Sequence, residues 1–220
     1  MIMIPSHITS IKEKTFYNCQ SLTNVIINPS LETIEKEAFF GCTLLDKFSI
    51  PSTVKTIGEK AFHSTGIKQV VIPYFVTKIE PYTFSHCSEL KEVFIPSSIT
   101  EIGKCAFEDC VILENVTFDE SSFLETINER AFYNCQSITS LNLPFSIKSI
   151  GPSCFESCSA LTTINLPSLI TVISNSLFSG CHSLTQISIP SNVFSIGCSA
   201  FYYCTSLTRV EIPTSVNEIK

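Results

Sequence analysis

The chain has 220 residues, 15% charged and 44% hydrophobic, with a mean hydropathy of +0.29, a composition that buries a large interior and excludes a disordered chain. The 14 Lys and Arg against 20 Asp and Glu leave a net charge of −6 without a basic stripe, which excludes nucleic acid as a partner. No run approaches the roughly 18 apolar residues of a membrane helix, because a proline or polar residue interrupts every few positions.

In chain order, Met1-Ile-Met-Ile-Pro has neither a basic leader nor an apolar core followed by a cleavage site, so it does not read as a signal peptide. Secretion stays open, since the protein can begin elsewhere. A phenylalanine then returns at Phe16, Phe39, Phe62, Phe84, Phe107, Phe132, Phe155, Phe178 and Phe201, at spacings of 23, 23, 22, 23, 25, 23, 23 and 23 residues. Self-similarity at such a period marks a solenoid, in which one unit cannot bury its own apolar face and must stack on its neighbours. The whole of 1–220 is then a single array of nine complete units and a partial tenth.

Each unit follows the pattern Leu-x-x-Val-x-Ile-Pro-Ser-x-Val-x-x-Ile-Gly-x-x-Ala-Phe-x-x-Cys-x-Ser, seen most clearly from Leu90 to Cys110. Its first part predicts a short strand with Val93 and Ile95 inward and Glu92 and Phe94 outward. The proline that follows, at Pro51, Pro73, Pro96, Pro144, Pro167, Pro190 and Pro213, donates no ladder hydrogen bond and ends the strand. The second part carries Ile99 and Ile102 inward, then a glycine where the chain bends (Gly58, Gly103, Gly151, Gly197), then Ala106, Phe107 and Cys110 on one face of a helical turn. The expected fold class is an α/β repeat solenoid, with strands on one face and short helical turns on the other.

This run, Ile-Pro-Ser-x-Val-Thr-x-Ile-Gly-x-x-Ala-Phe-x-x-Cys-x-Ser-Leu, resembles the BspA-like class of leucine-rich repeats over the length of the chain, Ile4 to Ile219. The resemblance implies a leucine-rich-repeat array with its parallel sheet on the concave face and helical turns on the convex face. It also implies surface exposure, adhesion and antigenicity, since proteins of this class occur on oral bacteria and mucosal protist parasites. The chain departs from the pattern where Gly66-Ile67 shortens the third unit, where Asp119-Glu120-Ser121-Ser122 lengthens the sixth, and where Asn28-Pro29 displaces a proline. These departures bear on local curvature.

Cys19, Cys42, Cys87, Cys110, Cys135, Cys158, Cys181 and Cys204 share one template position, broken only by Thr65, while Cys105, Cys154 and Cys198 lie near the alanine position. Even spacing to both neighbours and an odd total of 11 give no pairing rule, so the expectation is unpaired, largely buried thiols. Such thiols suit a reducing compartment, or an exterior where they are sealed from oxidant. His86 adjoins Cys87 and His182 adjoins Cys181, but these pairs fall in non-adjacent units and do not converge as zinc ligands do, so no metal or cofactor is expected. His7, His63, His86 and His182 occupy non-coinciding positions, and no Walker loop, dinucleotide fingerprint, zincin helix or nucleophile elbow occurs. The chain therefore reads as non-enzymatic. Asn115-Val116-Thr117 is its one glycosylation-type sequon, and chance occurrence is the simpler reading.

Ligand binding is expected on the outward strand positions, which escape the packing rule. In chain order these are Asn24 and Ile26, Lys47 and Ser49, Gln69 and Val71, Glu92 and Phe94, Asn115 and Thr117, Ser140 and Asn142, Thr163 and Asn165, Gln186 and Ser188, and Arg209 and Glu211. Val71 and Phe94 form an apolar pair on adjacent strands, and Asn142, Asn165 and Ser188 a polar column. Two functions fit. One is a surface adhesin or antigen engaging a host or neighbouring-cell protein; the other is a cytoplasmic assembly scaffold. Neither Ile2-x-Ile4-Pro5 nor Val216-x-x-Ile219-Lys220 is an atypical polar cap, so the expectation is a section of a longer array, or ends covered by self-association.

Overall fold

The computed structural model describes residues 2–220; Met1, the first residue of the N-terminal stretch read above, lies outside them. The chain winds into a parallel β-solenoid of about nine turns. Each turn contributes to two columns of short strands rather than one. Glu92–Ile95 belongs to the first column and Glu101–Ile102, only six residues on, to the second. Pairing is parallel and in register with the repeat: Val93 lies between Val70 and Val116, and Ile102 between Ile79 and Ile127. Where residues 47–49 of the third coil should add to the first column, only an isolated bridge joins Lys47 to Asn24.

The proline separates the two columns by opening a turn as well as by ending a strand. Val76 N–H donates to Pro73 O at 3.0 Å and Ile99 N–H to Pro96 O at 3.2 Å, a four-residue reversal in which the proline is the first residue and its carbonyl the acceptor. The chain then re-enters as the second strand, which sequence periodicity cannot reveal because two residues contain no full alternation.

The third side of each turn corrects the expected helical segments. Among the described residues there is no helix. The residues two before and two after every repeat phenylalanine have positive φ, as at Cys105 (54°) and Asp109 (58°) around Phe107, or Glu37 (55°) and Gly41 (71°) around Phe39. A left-handed residue at every fourth position stops a right-handed helix from propagating. Backbone donors go elsewhere. Tyr82, Phe84 and His86 N–H reach Lys104, Ala106 and Glu108 carbonyls of the next coil at 2.9, 2.9 and 2.7 Å. The intervening Thr83, Ser85 and Cys87 bond three residues back within their own coil. This side is thus a stack of linked turns that holds successive coils together.

The glycine before this turn needs a different reason from the bend expected of it. Gly103 has an ordinary φ, but a Cβ there would lie 2.7 Å from Ile79 O and Pro81 N of the preceding coil. Absence of a side chain lets two backbones approach.

The core is one continuous column. Ile99, Ile102, Ala106, Phe107 and Cys110 are fully buried, and the same positions repeat along the array. The nine phenylalanine rings form a single stack with centroids 5.1 to 5.9 Å apart and planes within 16° of parallel. Offset stacking of this kind adds about 0.5–1.5 kcal/mol per pair to the area term.

Candidate binding face

The first strand column carries the residues expected outward, and its register sets them in rows. Gln69, Glu92 and Asn115 are neighbours, as are Val71, Phe94 and Thr117. Farther along, Asn142 pairs with Asn165, Gln186 with Arg209, and Ser188 with Glu211. All of the predicted positions are exposed except Asn24 and Phe94, which are half-buried. Phe94 is covered by the Tyr74 ring, with centroids 6.3 Å apart. Val71 therefore projects alone, and the apolar pair does not stand free on this face.

The C-terminal part of the face is a shallow polar trough. Thr163, Asn165, Gln186, Ser188, Arg209 and Glu211 enclose about 400 Å³, and Asn115, Thr117, Ser140 and Asn142 line a further 280 Å³. Arg209 and Glu211 neutralise each other, since the guanidinium Nη2 donates to Oε1. Around the first volume, amide and hydroxyl groups are left as the donors and acceptors on offer, at the spacing of adjacent strands, about 4.8 Å, and the second adds the Glu114 carboxylate.

Glu108, although charged and on the turn side, is buried. Arg130 Nη2 donates to its Oε1 at 2.6 Å, and the same guanidinium sits 3.9 Å from the centre of the Tyr133 ring. This is a structural ion pair.

All eleven cysteines are unpaired. In the repeated column each buried thiol donates to the phenylalanine carbonyl of the preceding coil, as Cys110 Sγ does to Phe84 O at 3.2 Å and Cys135 Sγ to Phe107 O at 3.2 Å. At the broken position, Thr65 Oγ1 donates to its own Phe62 O at 2.9 Å. Burial pushes the Cys87 thiol up to about 11 and Cys158 to about 12, so these groups stay protonated and are poor nucleophiles. Cys19, in the first coil, and Cys198 are exposed.

The histidines do not assemble a centre. His63 stacks on Phe40 at 4.5 Å, and burial, with His86 beside it, lowers its pKa to about 4. His86 Nδ1 instead faces Asp109 Oδ2 at 3.3 Å. Among the described residues no three His, Cys, Asp or Glu side chains converge as metal ligands.

Residues 9–125 and 109–220 match the BspA type leucine rich repeat region, in six copies. The chain is a BspA-type leucine-rich repeat protein. No curated protein sequence matches it. Among solved structures, a leucine-rich repeat protein from Eubacterium ventriosum ATCC 27560 is 20% identical, with a TM-score of 0.53 over 99% of this chain and 80% of that one. The pneumococcal vaccine antigen PcpA is also 20% identical, with a TM-score of 0.53 over 98% of this chain and 61% of its own. A leucine-rich repeat protein from Bacteroides ovatus ATCC 8483 is 26% identical over 99% of this chain and 74% of that one, with a TM-score of 0.45. The likeness to the first two is one of fold.

The four-residue departure at Asp119–Ser122 was legible only as a change of length, yet it lies beside the protruding Phe123 and Phe145. Nothing in a sequence period says which side of a solenoid an insertion will widen.

Proposed function

We propose that this BspA-type array is a non-catalytic protein-binding module, a surface adhesin or antigen that engages its protein ligand through the first strand column. The observation that carries this reading is the row-by-row register of exposed side chains from Gln69 to Glu211, none of which the core requires. Solenoids use such extended faces for recognition because each coil adds two independent positions. PcpA, with the same fold, is a vaccine antigen, which agrees with display at a cell surface. The eight buried thiols weaken an objection to that location: covered and protonated, they are protected from oxidant and do not demand a reducing compartment, which leaves Cys19 and Cys198 as the exposed ones.

The test displays the 220-residue chain on a non-adherent cell and measures attachment to host-cell monolayers, with purified chain as competitor. Display should confer attachment, and the competitor should block it. The variant Asn142→Arg/Asn165→Arg/Ser188→Arg, altered only at exposed positions, should melt like the parent and fail to block. Equal blocking by both proteins would remove the face from the mechanism, and absence of attachment would count against the adhesin.

A further inference from the structure

Coils six and seven carry a groove that the repeat pattern does not require. It opens where the strands Asn115–Phe118 and Ser140–Asn142 end, encloses about 650 Å³, and is walled by Phe118, Phe123, Phe145 and Leu166 with Asp119 and Glu120 at its lip. That volume is within the range of clefts that bind ligands, about 300–1,000 Å³. Phe145 is 86% exposed and Phe123 67%, values at which a phenylalanine contributes nothing to the core.

The lip is held in shape before any ligand arrives. Tyr74 Oη donates to Asp119 Oδ2 at 3.1 Å from two coils away, and Ser121 N–H donates to Asp119 Oδ1 at 3.0 Å. Ser146 Oγ, from the following coil, lies 3.0 Å from Ser122 O and 2.7 Å from Leu124 O, either of which can accept its proton. A preformed loop lowers the ordering cost of association.

Charge selects the occupant. Asp119 and Glu120 are the only ionisable side chains lining the groove. Among the described residues neither has a Lys, Arg or His within ion-pair distance, whereas nearby Glu125 is matched by Lys148 at 2.7 Å. Hydrogen bonds from Ser121 N–H and Tyr74 Oη keep the Asp119 carboxyl ionised below the usual range. Apolar walls beside two unmatched carboxylates complement a segment in which a large apolar residue neighbours Lys or Arg.

We propose that this groove docks a basic, apolar segment of a partner protein, seating an aromatic or aliphatic side chain between Phe123 and Phe145 and a cationic one against Asp119 and Glu120. The proposal rests on the reading of the array as a protein-binding module, but it concerns a site at the margin of the strand face and can fail separately.

The test measures fluorescence anisotropy of three labelled peptides of matched length on the purified chain: alternating Lys-Phe, alternating Glu-Phe and alternating Lys-Gly. The Lys-Phe peptide should bind at least about tenfold tighter than either other, the scale of a single well-placed anchor, and its affinity should fall with salt. Phe145→Ser and Phe123→Ser should each weaken it about tenfold, and Glu120→Lys comparably, with unchanged melting because all three side chains are outside the core. Gln186→Arg, on the strand face, should leave peptide binding intact. Equal binding of the Lys-Gly peptide would mean adsorption to an acidic protein and would overturn the proposal, as would indifference to both phenylalanine variants. Sedimentation showing a concentration-dependent dimer abolished by Phe145→Ser would also overturn it by identifying a second copy as the occupant. Peptide binding that persists while the displayed chain fails to confer attachment would sink the adhesin reading and leave the groove standing.

Discussion

A single phenylalanine in this chain is held on both sides by its own kind. Phe107 lies 5.5 Å from Phe84 and 5.2 Å from Phe132, with no exposed surface. Phe107→Ala should therefore destabilise by about 3–5 kcal/mol, from lost burial plus the cavity left between coils, as read from a shift in the urea midpoint. Glu108 behaves differently although adjacent. Its carboxylate is buried against Arg130, so Glu108→Lys removes the partner and places two cations together. The loss should fall near the low end of the about 3–5 kcal/mol seen when a buried pair is broken, because the Arg130 side chain keeps some contact with water. A melt unchanged by Glu108→Lys would show that the pair is dispensable. Residue identity at these positions was readable to different degrees: the phenylalanine announces itself by recurrence, whereas a glutamate gives no sign that it is buried until its arginine is found 22 residues away.

The turn side shows how an element can be misread from a correct residue list. Ala, Phe and Cys at relative positions 0, 1 and 4 do share a buried side, as a helix would arrange them. The backbone reaches that arrangement through two left-handed residues and inter-coil hydrogen bonds. Side-chain spacing reports which atoms are inside and is silent about where N–H groups point. Two glycines separate these causes experimentally. Gly103→Ala adds a methyl 2.7 Å from backbone atoms of the preceding coil, which cannot rotate away; overpacking of this kind should cost about 1–3 kcal/mol. Gly180→Ala meets nothing closer than 3.4 Å but sits at φ +74°, so it should lose about 1 kcal/mol from conformation alone. Chemical denaturation of the two variants checks the order, and a Gly103→Ala protein as stable as the parent would refute the close-approach explanation.

At the scale of the molecule the thiols make stability a function of pH. Cys87 and Cys158 have folded values of about 11 and about 12, against about 8.5 in an unfolded chain. Between those limits the unfolded state releases a proton that the folded state retains. The stabilisation is thus complete below about pH 8.5 and declines as pH rises towards 11–12, by about 1.4 kcal/mol per pH unit for each fully buried thiol. The melting temperature should fall steeply above pH 9, and replacing Cys87 and Cys158 with Ala should make that alkaline limb shallower; a slope unchanged by the double substitution would put its origin elsewhere. A thiol reagent at neutral pH should likewise label Cys19 and Cys198 rapidly, and all 11 only after denaturation. The sequence by itself determined the period, the buried positions, the family and the outward strand residues, because a repeat converts each local preference into a column that cannot be hidden by one exception. Tertiary structure alone decided the second strand column, the turns that replace helices, the burial of Glu108, the partial cover of Phe94, and the groove at Phe123 and Phe145. Each of these depends on what the neighbouring coil presents across the stack, a distance of about 4.8 Å in space but more than 20 residues along the chain.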